Sequence, residues 1–183
     1  MSIQVASRRR GTASLEREFP SAEFLDVTSK AAEPWVRFSP FYPHGGIPVP
    51  HSEGVYAESV EGIWQALKVF ESQDIDVSKL SITSMKGLKR TVRRFGRVVG
   101  HREGVQGERI LGYIEARRAL YLPSYRFILE RRLQEEISDL RARSTRTTIV
   151  LLDYETNVEI EDTSRPLSHA GLVAAFLNGD WPK

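Results

Sequence analysis

Within SVEGIWQALKVF, Ser59 to Phe70, an acid, an amide and an ammonium recur at helical spacing. On a helix turning about 100° per residue, Glu61, Gln65 and Lys68 fall within roughly 60° of one another. Val60, Ile63, Trp64, Leu67 and Phe70 take the adjoining face. Such a stripe is either a solvated surface or the wall of a polar pocket. With Ser59 as N-cap, Glu61 lies in the first turn, where free N–H groups and the helix dipole favour an ionised carboxylate. That form suits a base, a nucleophile or a stabiliser of positive charge rather than a standing proton donor. The plainer reading is an acid that merely stabilises its helix.

Three further groups have chemical potential. From Lys86 to Arg102, KGLKRTVRRFGRVVGHR carries Lys86, Lys89, Arg90, Arg93, Arg94, Arg97 and Arg102 with no acid among them. As a helix this tract aligns cations that could clamp phosphates by paired hydrogen bonds, or form a solvated face. Asp153 ends the apolar run TIVLLD, a place where functional acids often sit, and it could equally cap a turn. Ser168 and His169 follow Pro166 at a helix start, where N–H groups can bind an anion. His44, His51 and His101 are scattered and match no metal-binding spacing, so no metal and no cofactor are expected. Phosphate-loop, dinucleotide and serine-hydrolase motifs are absent.

The elements that must position these groups read as a helix-rich α+β chain. Its 183 residues, 40% hydrophobic and 27% charged, suit one globular domain. Residues 1–15 read as a flexible arm, and 16–183 as the single domain. The arm's basic residues precede no apolar stretch, so no secretory signal is expected. The absence of cysteine fits a cytoplasmic setting, and no apolar run is long enough to span a membrane. A strand is expected near Ala22–Ser29, and an irregular, proline-rich stretch from Trp35 to Gly54. Helices are expected over Ser59–Phe70, about Met85–Val99, about Glu108–Tyr121 with a break before Pro123, and about Ser124–Arg143. The clearest strand is Arg146–Tyr154, and a last helix starts after Ser168.

In this order the pieces resemble the NADAR family. FSPFYP at Phe38–Pro43 followed by SVEGIWQALKVF is similar to its paired signature, approximately F-S-N-F-Y-P and then S-x-E-H-x-x-Q-A-x-K-F. Phe38, Ser39, Phe41, Tyr42, Pro43, Ser59, Glu61, Gln65, Ala66, Lys68 and Phe70 match. Gly96 and Arg97 resemble the family's basic G-R segment. IVLLDY and SHAGLVAAFL stand where the family has a strand and a closing helix. The chain departs from the pattern at Pro40 and Gly62, and ETNVEIEDTSRP replaces a W-G-x-G stretch.

The resemblance implies an N-glycosidase that hydrolyses a ribose–nitrogen bond of a nucleotide-like or ADP-ribosylated small molecule, possibly carried on nucleic acid. Glu61 would be its essential carboxylate, with Asp153 a second catalytic candidate. Gln65 and Lys68 would hold sugar hydroxyls or phosphate, Tyr42 or Trp64 would stack on a base, and Arg90 and Arg97 would meet phosphate. Ser39, Phe41, Ser168 and His169 complete the candidate binding set. Two other readings stand beside it: a non-catalytic ADP-ribose or nucleotide-binding module, and a nucleic-acid-binding protein using the Lys86–Arg102 segment.

Overall fold

The computed structural model describes residues 3–182. In chain order the elements are β1 (Ile3–Ser7), α1 (Thr12–Glu18), β2 (Glu23–Asp26), β3 (Ile47–Pro48), β4 (Tyr56–Ala57), α2 (Val60–Ala66) and β5 (Lys68–Phe70). They continue with α3 (Val92–Phe95), β6 (Val98–Arg102), β7 (Ile110–Leu111), α4 (Tyr113–Ala116), α5 (Leu122–Arg131), α6 (Gln134–Ser144), β8 (Ile149–Asp153) and α7 (His169–Asn178). Single 3₁₀ turns lie at Trp35–Phe38 and Val77–Ser81. The fold class is α+β and helix-rich. No helix among the described residues is long and apolar enough to cross a membrane.

The chain divides into two compact units, Met1–Ser39 with Leu133–Lys183, and Pro40–Arg132. The first boundary falls inside the proline-rich stretch, and the second, between α5 and α6, carries no linker composition. In the first unit, β8 is the centre of a parallel sheet of order β1-β8-β2. Ile3 pairs with Ile149 and Ser7 with Asp153 on one side, and Glu23 with Ile149 on the other. Every residue of β8 is buried, as expected of a strand covered on both faces. On one face Val150 and Leu152 pack with Ala6 of β1 and Leu15 of α1.

The N-terminal segment is therefore not an arm from its third residue onward. Ile3 and Ala6 are buried in the sheet, and Leu15 anchors α1 over it. Met1 and Ser2 lie outside the described residues.

In the second unit, β5, β6 and β7 form an antiparallel sheet, and β3 and β4 a short ribbon. Four expected helices take another form. The Ser59 helix ends at Ala66, and Lys68–Phe70 is a strand opposite β6. The Met85–Val99 segment contains only the single turn α3, flanked by Gly87 and Gly96 at φ +75° and +81°, and its end enters β6. Positive φ at both glycines is incompatible with a continuous helix. Pro123 breaks nothing: α4 runs through a π-helical stretch, Arg117–Tyr121, directly into α5. The wider π turn accommodates a residue with no N–H, and the Ser124 hydroxyl donates to the Leu120 carbonyl at 2.7 Å. The helix expected over Ser124–Arg143 is two, α5 and α6, separated at Arg132 and Leu133.

Gly100 in the middle of β6 permits the close approach of β7, because a Cβ there would lie 2.5 Å from both the Leu111 carbonyl oxygen and Ile110 Cγ2. Gly100→Ala is expected to lower unfolding stability by about 1–3 kcal/mol, read as a shift of the urea midpoint at unchanged slope.

Candidate functional site

The cap expected at Ser59 is present: its Oγ accepts from the Gly62 N–H at 3.0 Å. The Pro40 carbonyl accepts the next exposed donor, the Glu61 N–H, at 2.8 Å. FSPFYP and SVEGIW are thus joined physically, one supplying a carbonyl to the helix start of the other. The Glu61 and Gly62 N–H groups are therefore not free to meet an anion.

Glu61 is 8% exposed, and its Oε1 accepts from Gln65 Nε2 at 2.8 Å. Gln65 Oε1 in turn accepts the Arg90 backbone N–H at 2.9 Å. The stripe is not a solvated surface. Burial pushes the Glu61 carboxyl above its usual range, and the Gln65 amide and the charges of Lys68 and Lys89 pull it back. This reverses the expected effect of a first-turn position, because desolvation outweighs the helix dipole. Burial lowers Lys68 while Glu61 raises it, and the charges of Arg90 and Lys89 lower it further. Each charge thus favours the ionised form of the other, with Lys68 placed on β5 rather than on the helix.

Opposite Lys68 in the β5–β6 register stands His101, wholly buried beneath the Trp64 ring at a centroid distance of 3.8 Å. Neither imidazole nitrogen has a hydrogen-bond partner among the described residues. Burial, and then the Lys68 charge, push His101 down to about 3, so the ring is neutral. Tyr113 and Tyr121 meet Trp64 edge-on at 5.7 and 5.8 Å. Sequence reasoning left His101 among the scattered histidines. Its place beside Lys68 depends on a strand pairing that no local pattern revealed.

The remaining candidates divide clearly. Lys89 Nζ lies over the half-buried Phe41 ring at 5.4 Å, and Tyr42 packs on His44 at 4.9 Å. Arg90 is not a phosphate ligand. Its guanidinium donates to the carbonyls of Gln65 (3.1 Å), Lys68 (2.5 Å) and Asp74 (2.6 Å), sandwiched by Phe70 and Phe95. With both terminal nitrogens bonded to backbone, it holds the end of α2 and the start of β5. Arg97 is 82% exposed and paired with Glu71 at 3.2 Å, a surface residue and not part of the Glu61 cluster.

Ser39, Asp153, Ser168 and His169 belong to the first unit. Ser39 is buried, with its Oγ 3.2 Å from that of Ser29. Asp153 Oδ2 accepts from Ser168 Oγ at 2.9 Å and lies 3.1 Å from His169 Nδ1, while Oδ1 accepts the Tyr154 N–H at 2.7 Å. Ser168 Oγ also caps α7 by accepting from Gly171, and His169 Nε2 sits 2.7 Å from the Val27 carbonyl. Despite its Ser-His-Asp composition the cluster is no nucleophilic triad, because the serine bonds the acid and not the imidazole. Asp153 is a structural acid that ties β8 to the start of α7, and Ser168 and His169 are its fixed partners rather than open anion ligands.

Residues 7–173 match a family of unknown function, DUF6939. The chain belongs to that family. A comparison with curated proteins finds no match. The DUF6939 match spans both units, from the end of β1 into α7.

Two outcomes follow from this geometry. Arg90→Ala strands three backbone carbonyls in a buried setting and is expected to cost about 3 kcal/mol, whereas Arg97→Ala should stay within about 0.5 kcal/mol; urea unfolding measures both. His101 binds its proton more weakly folded than unfolded, so its stabilising contribution is complete above pH 6.5 and is lost as pH falls toward 3. Across that window stability should fall by at most about 1.4 kcal/mol per pH unit. His101→Phe should remove that part of the slope, as shown by urea midpoints measured at a series of pH values.

Proposed function

We propose that this DUF6939 protein is an N-glycosidase that hydrolyses a ribose–nitrogen bond of a nucleotide-like or ADP-ribosylated substrate. The observation that carries the reading is the near-buried Glu61, held by Gln65 and flanked by Lys68 beside the Trp64 ring. Breaking such a bond leaves positive charge on the ribose ring while the electron pair departs with the base nitrogen. An ionised carboxylate in a poorly solvated site stabilises that charge far more than it would in water. Water then adds to the anomeric carbon and passes a proton toward Glu61, whose raised affinity for protons makes it the better base. Lys68 supplies the opposing charge that keeps Glu61 ionised when substrate is bound, and Trp64 offers an aromatic surface for the base.

The departure at Gly62 has a steric reason in this chain. A Cβ at that position would lie 2.8 Å from the Lys79 carbonyl and 3.0 Å from Ser59 Oγ, so the histidine of the resembling family has no room. That difference favours a second reading, a nucleotide or ADP-ribose binder without turnover.

One variant separates the two. Glu61→Gln keeps size and the contact with Gln65 while deleting the charge. Turnover, measured by mass spectrometry as base released from ribosylated nucleotides, should fall by about 100-fold or more with binding retained. A well-folded Glu61→Gln protein with undiminished turnover ends the catalytic reading. Ligand binding by the parent with no base release assigns the binding module.

A further inference from the structure

Among the described residues, arginine repeatedly meets carboxylate: Arg8 with Asp26, Arg10 with Glu18, Arg109 with Glu103, Arg126 with Glu130, and Arg143 with both Asp139 and Glu23. The pattern holds at the C-terminal end of the basic tract, where Arg97 pairs with Glu71 and Arg102 with Asp74 at 2.5 Å. Arg90 is consumed by backbone carbonyls. Lys86, Lys89, Arg93 and Arg94 remain, all exposed, and none is ion-paired among the described residues.

We propose that Lys86, Lys89, Arg93 and Arg94 form a docking surface for the phosphate backbone of a single-stranded nucleic acid, bound without regard to base. Each unpaired cation can replace one condensed counterion on the strand, whereas Arg97 and Arg102 already have a carboxylate as counterion. The four cations lie within nine residues of one another and all are exposed, a spacing that suits successive phosphates of a polymer. Lys89 lies over Phe41 and Arg94 over Phe95 at 5.0 Å, which leaves both half-buried rings carrying a cation instead of offering a face to a base. A lipid surface is the poorer fit. The tract's only helix, α3, is four residues long and presents one exposed apolar side chain, Val92.

The Lys89 charge also acts on the Glu61 carboxyl, but the surface needs no catalytic role for Glu61, and its test uses an unmodified oligonucleotide. Fluorescence anisotropy of a labelled oligothymidylate of about 20 nucleotides should give a log–log slope of affinity against salt of about −2.8 between about 50 and 200 mM salt, four cations at about 0.7 each. Arg93→Gln with Arg94→Gln should halve that slope, and Lys86→Gln with Lys89→Gln should do the same. Arg97→Gln with Arg102→Gln should leave it unchanged. Circular dichroism confirms that each variant is folded, and the two independent unpaired pairs keep the test open if one is not. Absence of oligonucleotide binding at the lowest salt overturns the proposal. So does an equal loss in the Arg97/Arg102 variant, or binding to phosphatidylserine vesicles in preference to the oligonucleotide.

Discussion

The guanidinium of Arg90 decides where the helix that carries Glu61 stops. By taking the carbonyls of Gln65, Lys68 and Asp74, it supplies donors that a continuing helix would have supplied from its own backbone. The chain leaves helical geometry after Ala66, and Lys68 enters a strand instead of the next turn. That exit sets Lys68 across from His101 and places His101 under Trp64. The chemistry of the Glu61 cluster therefore depends on a cation that never meets its carboxylate by a hydrogen bond. Arg90's own backbone N–H closes the arrangement by donating to the side-chain Oε1 of Gln65, which turns the amide's donor end toward Glu61.

Much of this was legible from local signals. Ser59 and Ser168 announce themselves as caps because a hydroxyl before an apolar run satisfies orphan N–H groups, and both do so. The run at Ile149–Asp153 reads as a strand because an apolar, β-branched segment of that length suits burial on both faces. The juxtaposition of Glu61 and Gln65 follows from helical spacing alone. The end of α2 was not legible, because the alternation in LKVF fits the tail of an amphipathic helix as well as the start of a strand. The tract after Met85 misled for a related reason. Spacing of three and four in a charge run describes a helix only if the backbone between can adopt one, and Gly87 and Gly96 do not.

Asp153 shows a different limit. An acid at the end of a buried strand beside a serine and a histidine has the composition of a catalytic group. What separates structure from chemistry is the direction of each hydrogen bond, and direction is absent from a sequence. Here these partners of the carboxylate are all set by the fold: a cap residue, the Tyr154 and Ala170 N–H groups, and an imidazole that also reaches the Val27 carbonyl.

The order of the parallel sheet gives the chain a sense of time. β1 and β2 emerge from a ribosome before β8, the strand that stands between them, which is made more than a hundred residues later. Until then neither early strand has its neighbour, and each exposes an unpaired ladder of backbone donors and acceptors. The segment Pro40–Arg132, by contrast, contains both partners of every pairing in its own sheets and needs nothing from downstream. Synthesis thus completes the strand pairings of Pro40–Arg132 while β1 and β2 still wait for β8. The late arrival of Ile149–Asp153 is the event on which two-sided burial of the parallel sheet depends.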